Sequence, residues 1–98
     1  MSSPLDEVIK SADVVALGTT RCPYCIRVKK FFDEQKIAYK YVNIDDLGAA
    51  GDALQREVEA KYKHETVPAV FIKGNFVGGC DDTLALHKKG KLTAMWKR

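Results

Sequence analysis

The sequence predicts an α/β domain, a single layer of four-stranded mixed sheet flanked by helices on both faces. Three observations carry this. Short apolar runs of strand length alternate along the chain with segments of helical periodicity. The first two runs enclose one helical segment, so their strands lie parallel with a right-handed crossover. The last two runs flank a Gly-Asn pair, a hairpin signal that brings in antiparallel pairing. The 98 residues form one domain, residues 1–98, with no repeat, linker or low-complexity stretch.

Each element has its own warrant. Ser3-Pro4 opens a first helix, a capping residue followed by proline at the first helical position. DVVALG, Asp13 to Gly18, is apolar and short, as a fully buried strand is. Thr19 to Arg21 form a loop. Pro23 suits the first turn of the next helix, because it lacks the N–H that would go unpaired there. Val28, Phe31, Phe32 and Gln35 continue that helix's stripe, with Lys29, Lys30 and Asp33 outside. YKYVNI, Tyr39 to Ile44, is the second strand. Gly51 to Lys63 is an amphipathic helix with Leu54, Val58 and Tyr62 at intervals of four. Ala69 to Gly79 is the hairpin, turning near Gly74-Asn75. Asp81 to about Lys89 is helical, and KLTAMWKR makes a final short helix packed by Trp96. His64 and His87 are expected on helix surfaces, without a catalytic partner.

Composition excludes several functions. A net charge of +3 with scattered bases argues against nucleic-acid binding. No apolar run reaches membrane-spanning length. The start, MSSPLDEVIK, has no apolar signal core, so no cleaved secretory segment is expected and the expected compartment is cytoplasmic. Three cysteines in a reducing compartment are more often catalytic or metal-binding than structural.

The chemistry gathers at RCPYC. Cys22 and Cys25 are separated by two residues at a helix entrance. A structural zinc site needs four ligands. This chain offers one pair, a single Cys80 and two histidines without pair spacing, so no metal is expected. Two small core residues are also a poor reading, because Pro23-Tyr24 leaves the first thiol near the surface. A redox pair fits best. The thiolate is the attacking species, and a helix N-terminus aims unpaired N–H groups and the positive dipole end at it. Arg21 is a candidate nearby cation or a solvated loop charge. Cys25, one turn further in, is the candidate resolving thiol.

CPYC after a buried strand, TVPAVFI (Thr66 to Ile72) and GGCDD (Gly78 to Asp82) together resemble a dithiol glutaredoxin over nearly the whole chain. The resemblance implies a thioredoxin-like fold. It also implies a thiol–disulfide oxidoreductase that reduces glutathione-mixed disulfides and protein disulfides, with no bound cofactor. Its partners would be a low-molecular-weight thiol and glutathionylated or disulfide-bonded proteins, and it would be a monomer. By the same resemblance Cys22 is the nucleophile and Cys25 the resolving cysteine. Tyr24 packs beside glutathione. Pro68 is a cis proline that turns the backbone of Val67 toward the ligand. Gly79 permits close approach, the N–H groups of Cys80 and Asp81 hold the γ-glutamyl carboxylate, and Asp82 faces the ammonium. For Asp81 and Asp82, ligand contact is the reading adopted, and simple helix capping, which the same geometry satisfies, is the alternative. Cys80 is either a small inert thiol or a site of disulfide formation under oxidation.

Two positions depart from the family pattern. Thr19 and Glu65 stand where basic residues usually face the glycyl carboxylate, while Gln55 is retained. Two readings follow. Either ordinary glutathione is held mainly at its γ-glutamyl end, with Arg21 substituting at the other, or the co-substrate is a glutathione–polyamine conjugate whose glycyl carboxylate is masked as an amide. A cluster-carrying dimer is the alternative function, disfavoured by Pro23. A general reductase served by a flavoenzyme is a third, disfavoured by CPYC and GGCDD.

Overall fold

A computed structural model describes residues 3–96, without the side chains of Thr93 and Trp96. The packing expected of Trp96 lies outside the described residues. Helix α1, Pro4–Ile9, starts as expected: Ser3 Oγ accepts from the Asp6 N–H at 3.2 Å and Asp6 Oδ2 from the Ser3 N–H at 3.4 Å. Strand β1 is Val14–Gly18, buried along its whole length. Helix α2, Pro23–Glu34, buries Cys25, Val28, Phe31 and Phe32. Gln35, expected on that stripe, is an exposed C-cap. Strand β2 is Lys40–Asn43, one residue shorter at each end than expected, because Ile44 begins a 3₁₀ turn, Ile44–Leu47.

Helix α3, Ala49–Tyr62, carries Gly51 against that turn. A Cβ at Gly51 would lie 1.8 Å from the Ile44 carbonyl oxygen, so the glycine is what lets helix and turn touch. Strands β3, Ala69–Ile72, and β4, Asn75–Gly78, form the hairpin. Its turn is Lys73-Gly74, one residue before the expected place, with φ of 50° and 82°. Asn75, read as a turn residue, belongs to β4. Helices α4, Cys80–Lys88, and α5, Leu92–Trp96, complete the chain.

The sheet order is β2-β1-β3-β4, with β1 parallel to β2 and antiparallel to β3. Alternation along the central strands divides the core. Val14, Ala16, Val70 and Ile72 pack with Val28 and Phe32 of α2, Cys80 of α4 and Leu92 of α5. Val15, Leu17, Ala69 and Phe71 pack with Leu5 of α1 and Leu54 and Val58 of α3. Removing a side chain such as the fully buried Phe32 costs about 3–5 kcal/mol. Helices on both faces thus hold the C-terminal end of β1, the loop after α3 and the start of α4 around one cleft.

Candidate active site

The cleft, of about 680 Å³, is lined by Thr19, Tyr24, Gln55, His64, Glu65, Thr66, Val67, Pro68 and the start of α4 among others. Cys22 is not itself among the lining residues and meets the cleft through Val67. Cys22 is the N-cap of α2, half-exposed, in extended backbone conformation. Its Sγ accepts from the Cys25 N–H at 3.3 Å and lies 3.7 Å from the Val67 carbonyl, to which the thiol donates. A sulfur that caps a helix faces donors otherwise left unpaired, which is where negative charge is best tolerated.

Cys25 differs. It is fully buried one turn below, and burial with Cys22 beside it pushes its thiol up to about 11. Both thiols are free. The Val67–Pro68 peptide is cis, and Pro68 is buried at the cleft wall. Beside Pro68, Gly79 caps α4, and the Gly79 N–H donates to Asp82 Oδ2 at 3.3 Å. The capping read for Asp82 is therefore present, on a carboxylate that also lines the cleft. Asp81 lines it too. Cys80 is buried, and burial, with Asp81 adding, raises its thiol above the ordinary range.

Residues 14–77 match the family model described as Glutaredoxin. The chain belongs to the glutaredoxin family. It is 43% identical over 89 residues to the chloroplastic Glutaredoxin-C4 of Oryza sativa subsp. japonica, covering 91% of this chain and 66% of that one. A buckwheat glutaredoxin–glutathione complex is similar with a TM-score of 0.89 and 37% identity, covering 94% of this chain and 83% of that one. The dithiolic glutaredoxin 2-C-Grx1 of Trypanosoma brucei brucei has a TM-score of 0.87 and 41% identity, covering 97% and 96%. The four-stranded mixed sheet is thus the thioredoxin-like fold of this family.

Within this glutaredoxin, most residues singled out from the sequence line one cleft: Tyr24, Gln55, Val67, Pro68, Gly79, Cys80, Asp81 and Asp82. Arg21 does not. It is exposed and outside the cleft lining. The cation beside Tyr24 is Arg27, with its guanidinium carbon 5.7 Å from the ring centroid. The i, i+3 spacing on α2 was the available signal. Gln55 lines the cleft, but its Nε2 donates to the Glu65 carbonyl at 3.3 Å.

His64 departs from expectation. It lies beyond α3, not on a helix, because Lys63 takes a left-handed conformation and ends the helix. The ring packs edge-on against Phe76 and its Nε2 is 3.1 Å from the Pro68 carbonyl. His87 is on α4, half-buried edge-on against Phe31.

Among the described residues, no helix is long and apolar enough to cross a membrane.

Proposed function

We propose that Cys22 is the nucleophile of a glutathione-dependent thiol–disulfide oxidoreductase, and Cys25 its resolving thiol. Glutaredoxins are such enzymes. The observation that supports these roles is the contrast within one helical turn. Cys22 is half-exposed with an N–H on its sulfur, and Cys25 is fully buried below it. In the one-cysteine route, the Cys22 thiolate attacks the glutathionyl sulfur of a mixed disulfide, and the substrate thiol leaves. A second glutathione thiolate then attacks the Cys22-bound glutathione, releasing glutathione disulfide and restoring Cys22. In the two-cysteine route, Cys25 attacks Cys22 in its mixed disulfide with a protein substrate.

The cleft suits the tripeptide in parts. The open N–H groups at the start of α4 favour a carboxylate, and the Asp82 carboxylate favours an ammonium. Tyr24, Val67, Pro68 and Gly79 line the stretch between. The glycyl end falls to Thr19, Gln55 and Glu65. Among the described residues, the lining includes three carboxylates, Glu65, Asp81 and Asp82, and neither lysine nor arginine. That charge balance favours the second reading of the co-substrate, a glutathione–polyamine conjugate with its glycyl carboxylate masked as an amide. Ordinary glutathione, held at its γ-glutamyl end, is the simpler donor. The proposed state is a monomer acting on glutathionylated and disulfide-bonded proteins in the cytoplasm. Relatives include chloroplastic and mitochondrial forms.

The test is steady-state reduction of a glutathionylated peptide, with glutathione and with glutathione amidated at its glycyl carboxylate as donors. Cys22→Ser is expected to abolish turnover, and Cys25→Ser to retain it. Retained turnover in Cys22→Ser overturns the assignment. If the amidated donor matches or exceeds glutathione, the glycyl carboxylate is not read. If only free glutathione works, the conjugate reading falls.

A further inference from the structure

A resolving thiol must give up its proton, yet Cys25 sits where a thiolate is disfavoured. Two neighbours oppose the effect of burial: the backbone of Thr19 and the hydroxyl of Tyr41. Tyr41 stands on β2, opposite Ala16 of β1, and half-buried. A tyrosine at such a place is ordinarily packing for a sheet. Three contacts set this one apart. Its hydroxyl donates to the Thr19 carbonyl at 2.7 Å. The Lys29 ammonium of α2 lies 4.3 Å from its ring centroid. A Cβ placed on Gly18 would be 2.4 Å from Tyr41 Oη and 2.6 Å from Cys25 Sγ. The phenol and the buried sulfur therefore meet over a residue of β1 that has no side chain to separate them.

We propose that Tyr41 is a positioning residue for Cys25, its hydroxyl turning from the Thr19 carbonyl to the sulfur as that thiol loses its proton. The inference rests on the roles given to Cys22 and Cys25 above. In the reduced protein the phenol proton goes to the Thr19 carbonyl, and the phenol oxygen faces the Cys25 sulfur over Gly18. When Cys25 attacks, the bond between Cys22 and the substrate sulfur breaks and a Cys22–Cys25 disulfide forms. Cys25 is oxidised as the substrate sulfur is reduced, and the departing thiol ends with the proton that Cys25 gave up. While the charge is on Cys25, the Tyr41 hydroxyl donates to it. Tyr41 is not the base. Burial, with Cys25 beside it, holds the phenol well above its ordinary range, so it keeps its proton. The other charged or titratable groups facing the pair are Cys22 and Lys29 of α2 and Asp45 of the 3₁₀ turn. Lys29 favours negative charge there, while Asp45 and an ionised Cys22 oppose it.

Tyr41→Phe keeps the ring, its packing and the Lys29 contact, and removes one oxygen. The measurement is the ratio of two rates: reduction of a protein disulfide, which needs both cysteines, and reduction of a glutathionylated peptide, which needs Cys22. Loss of one hydrogen bond to a charged sulfur is expected to lower that ratio about tenfold. It should also move the alkaline limb of the two-cysteine pH–rate profile to higher pH, which a merely structural role would not do. Replacing Tyr41 with a fluorotyrosine, a stronger donor, should shift the limb the other way. An unchanged ratio and profile in Tyr41→Phe overturn the inference. If Cys25→Ser keeps the two-cysteine activity, the assigned role of Cys25 is what fails, and the inference goes with it.

Discussion

The two ends of the cleft are built from different materials. The end at Gly78 to Asp82 is made largely of backbone: two glycines, a helix start and one carboxylate folded back onto the Gly79 N–H. The end at Thr19, Gln55 and Glu65 is made of side chains, of which Glu65 is exposed and Gln55 is turned onto a neighbouring carbonyl. A backbone subsite has little freedom to change without moving the fold. A side-chain subsite can change its charge while the fold stays still. Thr19 and Glu65, the two positions read from the sequence as departing from the family pattern, both fall at the side-chain end.

The largest expected effect tests the backbone end. Gly78 has φ +127°, and a Cβ there would lie 2.3 Å from Asp82 Oδ2 and 2.7 Å from its Cβ. Gly78→Ala should destabilise the fold by about 1–3 kcal/mol. It should also raise KM for glutathione about tenfold, the equivalent of ~1.4 kcal/mol. Denaturant melts and initial rates check both. An unchanged KM would mean that this end does not read the ligand. Next comes Asp82→Ala, which removes the cap on α4 and should cost about 1 kcal/mol of stability. KM should rise in the same kinetic assay if the carboxylate also meets the ammonium.

Glu65→Lys tests the other end with a smaller change. One exposed charge pair is worth roughly 0.2–1 kcal/mol, so KM for free glutathione should fall about 1.5- to 5-fold. The gain should shrink in high salt and vanish for the amidated donor. A loss of stability as large as that of Gly78→Ala would erase the contrast between the two ends. Near neutral pH the smallest effect concerns the buried sulfur below Cys22. Folding raises the Cys25 thiol from its ordinary 9.0 to about 11, so the unfolded chain ionises first as pH rises. Stability from this group is intact well below pH 9 and is lost progressively as pH rises through 9 towards 11. Comparing the pH dependence of melting with that of Cys25→Ser isolates it.

Much of this was legible in the sequence where one residue type has one physical meaning. Pro4 and Pro23 mark helix starts because proline has no N–H to satisfy. The apolar run of β1 and the fours of α3 mark burial. What escaped depends on backbone conformations that the sequence does not advertise. Lys63 and Lys73 adopt positive φ without being glycine, which ends α3 early enough to bring His64 to the cleft and moves the hairpin turn back by one. Asn75 carried the stronger turn signal and sits in a strand. In the site, the paired cysteines and the double glycine were readable as motifs. Tyr41 was not, since in sequence it is one more aromatic in a strand. Its meaning comes from Gly18 on the neighbouring strand, and from how close that glycine lets it come to Cys25.

The antiparallel pairing of β1 with β3 has a consequence for synthesis. Residues 14–17 pair with residues 69–72, so the central pair of the sheet joins the first fifth of the chain to its last third. A chain emerging N-terminus first carries Cys22 and Cys25 long before residues 64–82 are available to cover them. During that interval Cys22 has neither the Val67 carbonyl nor α4 beside it. The distinction between one accessible thiol and one sheltered thiol is therefore completed only when the second half of the chain arrives.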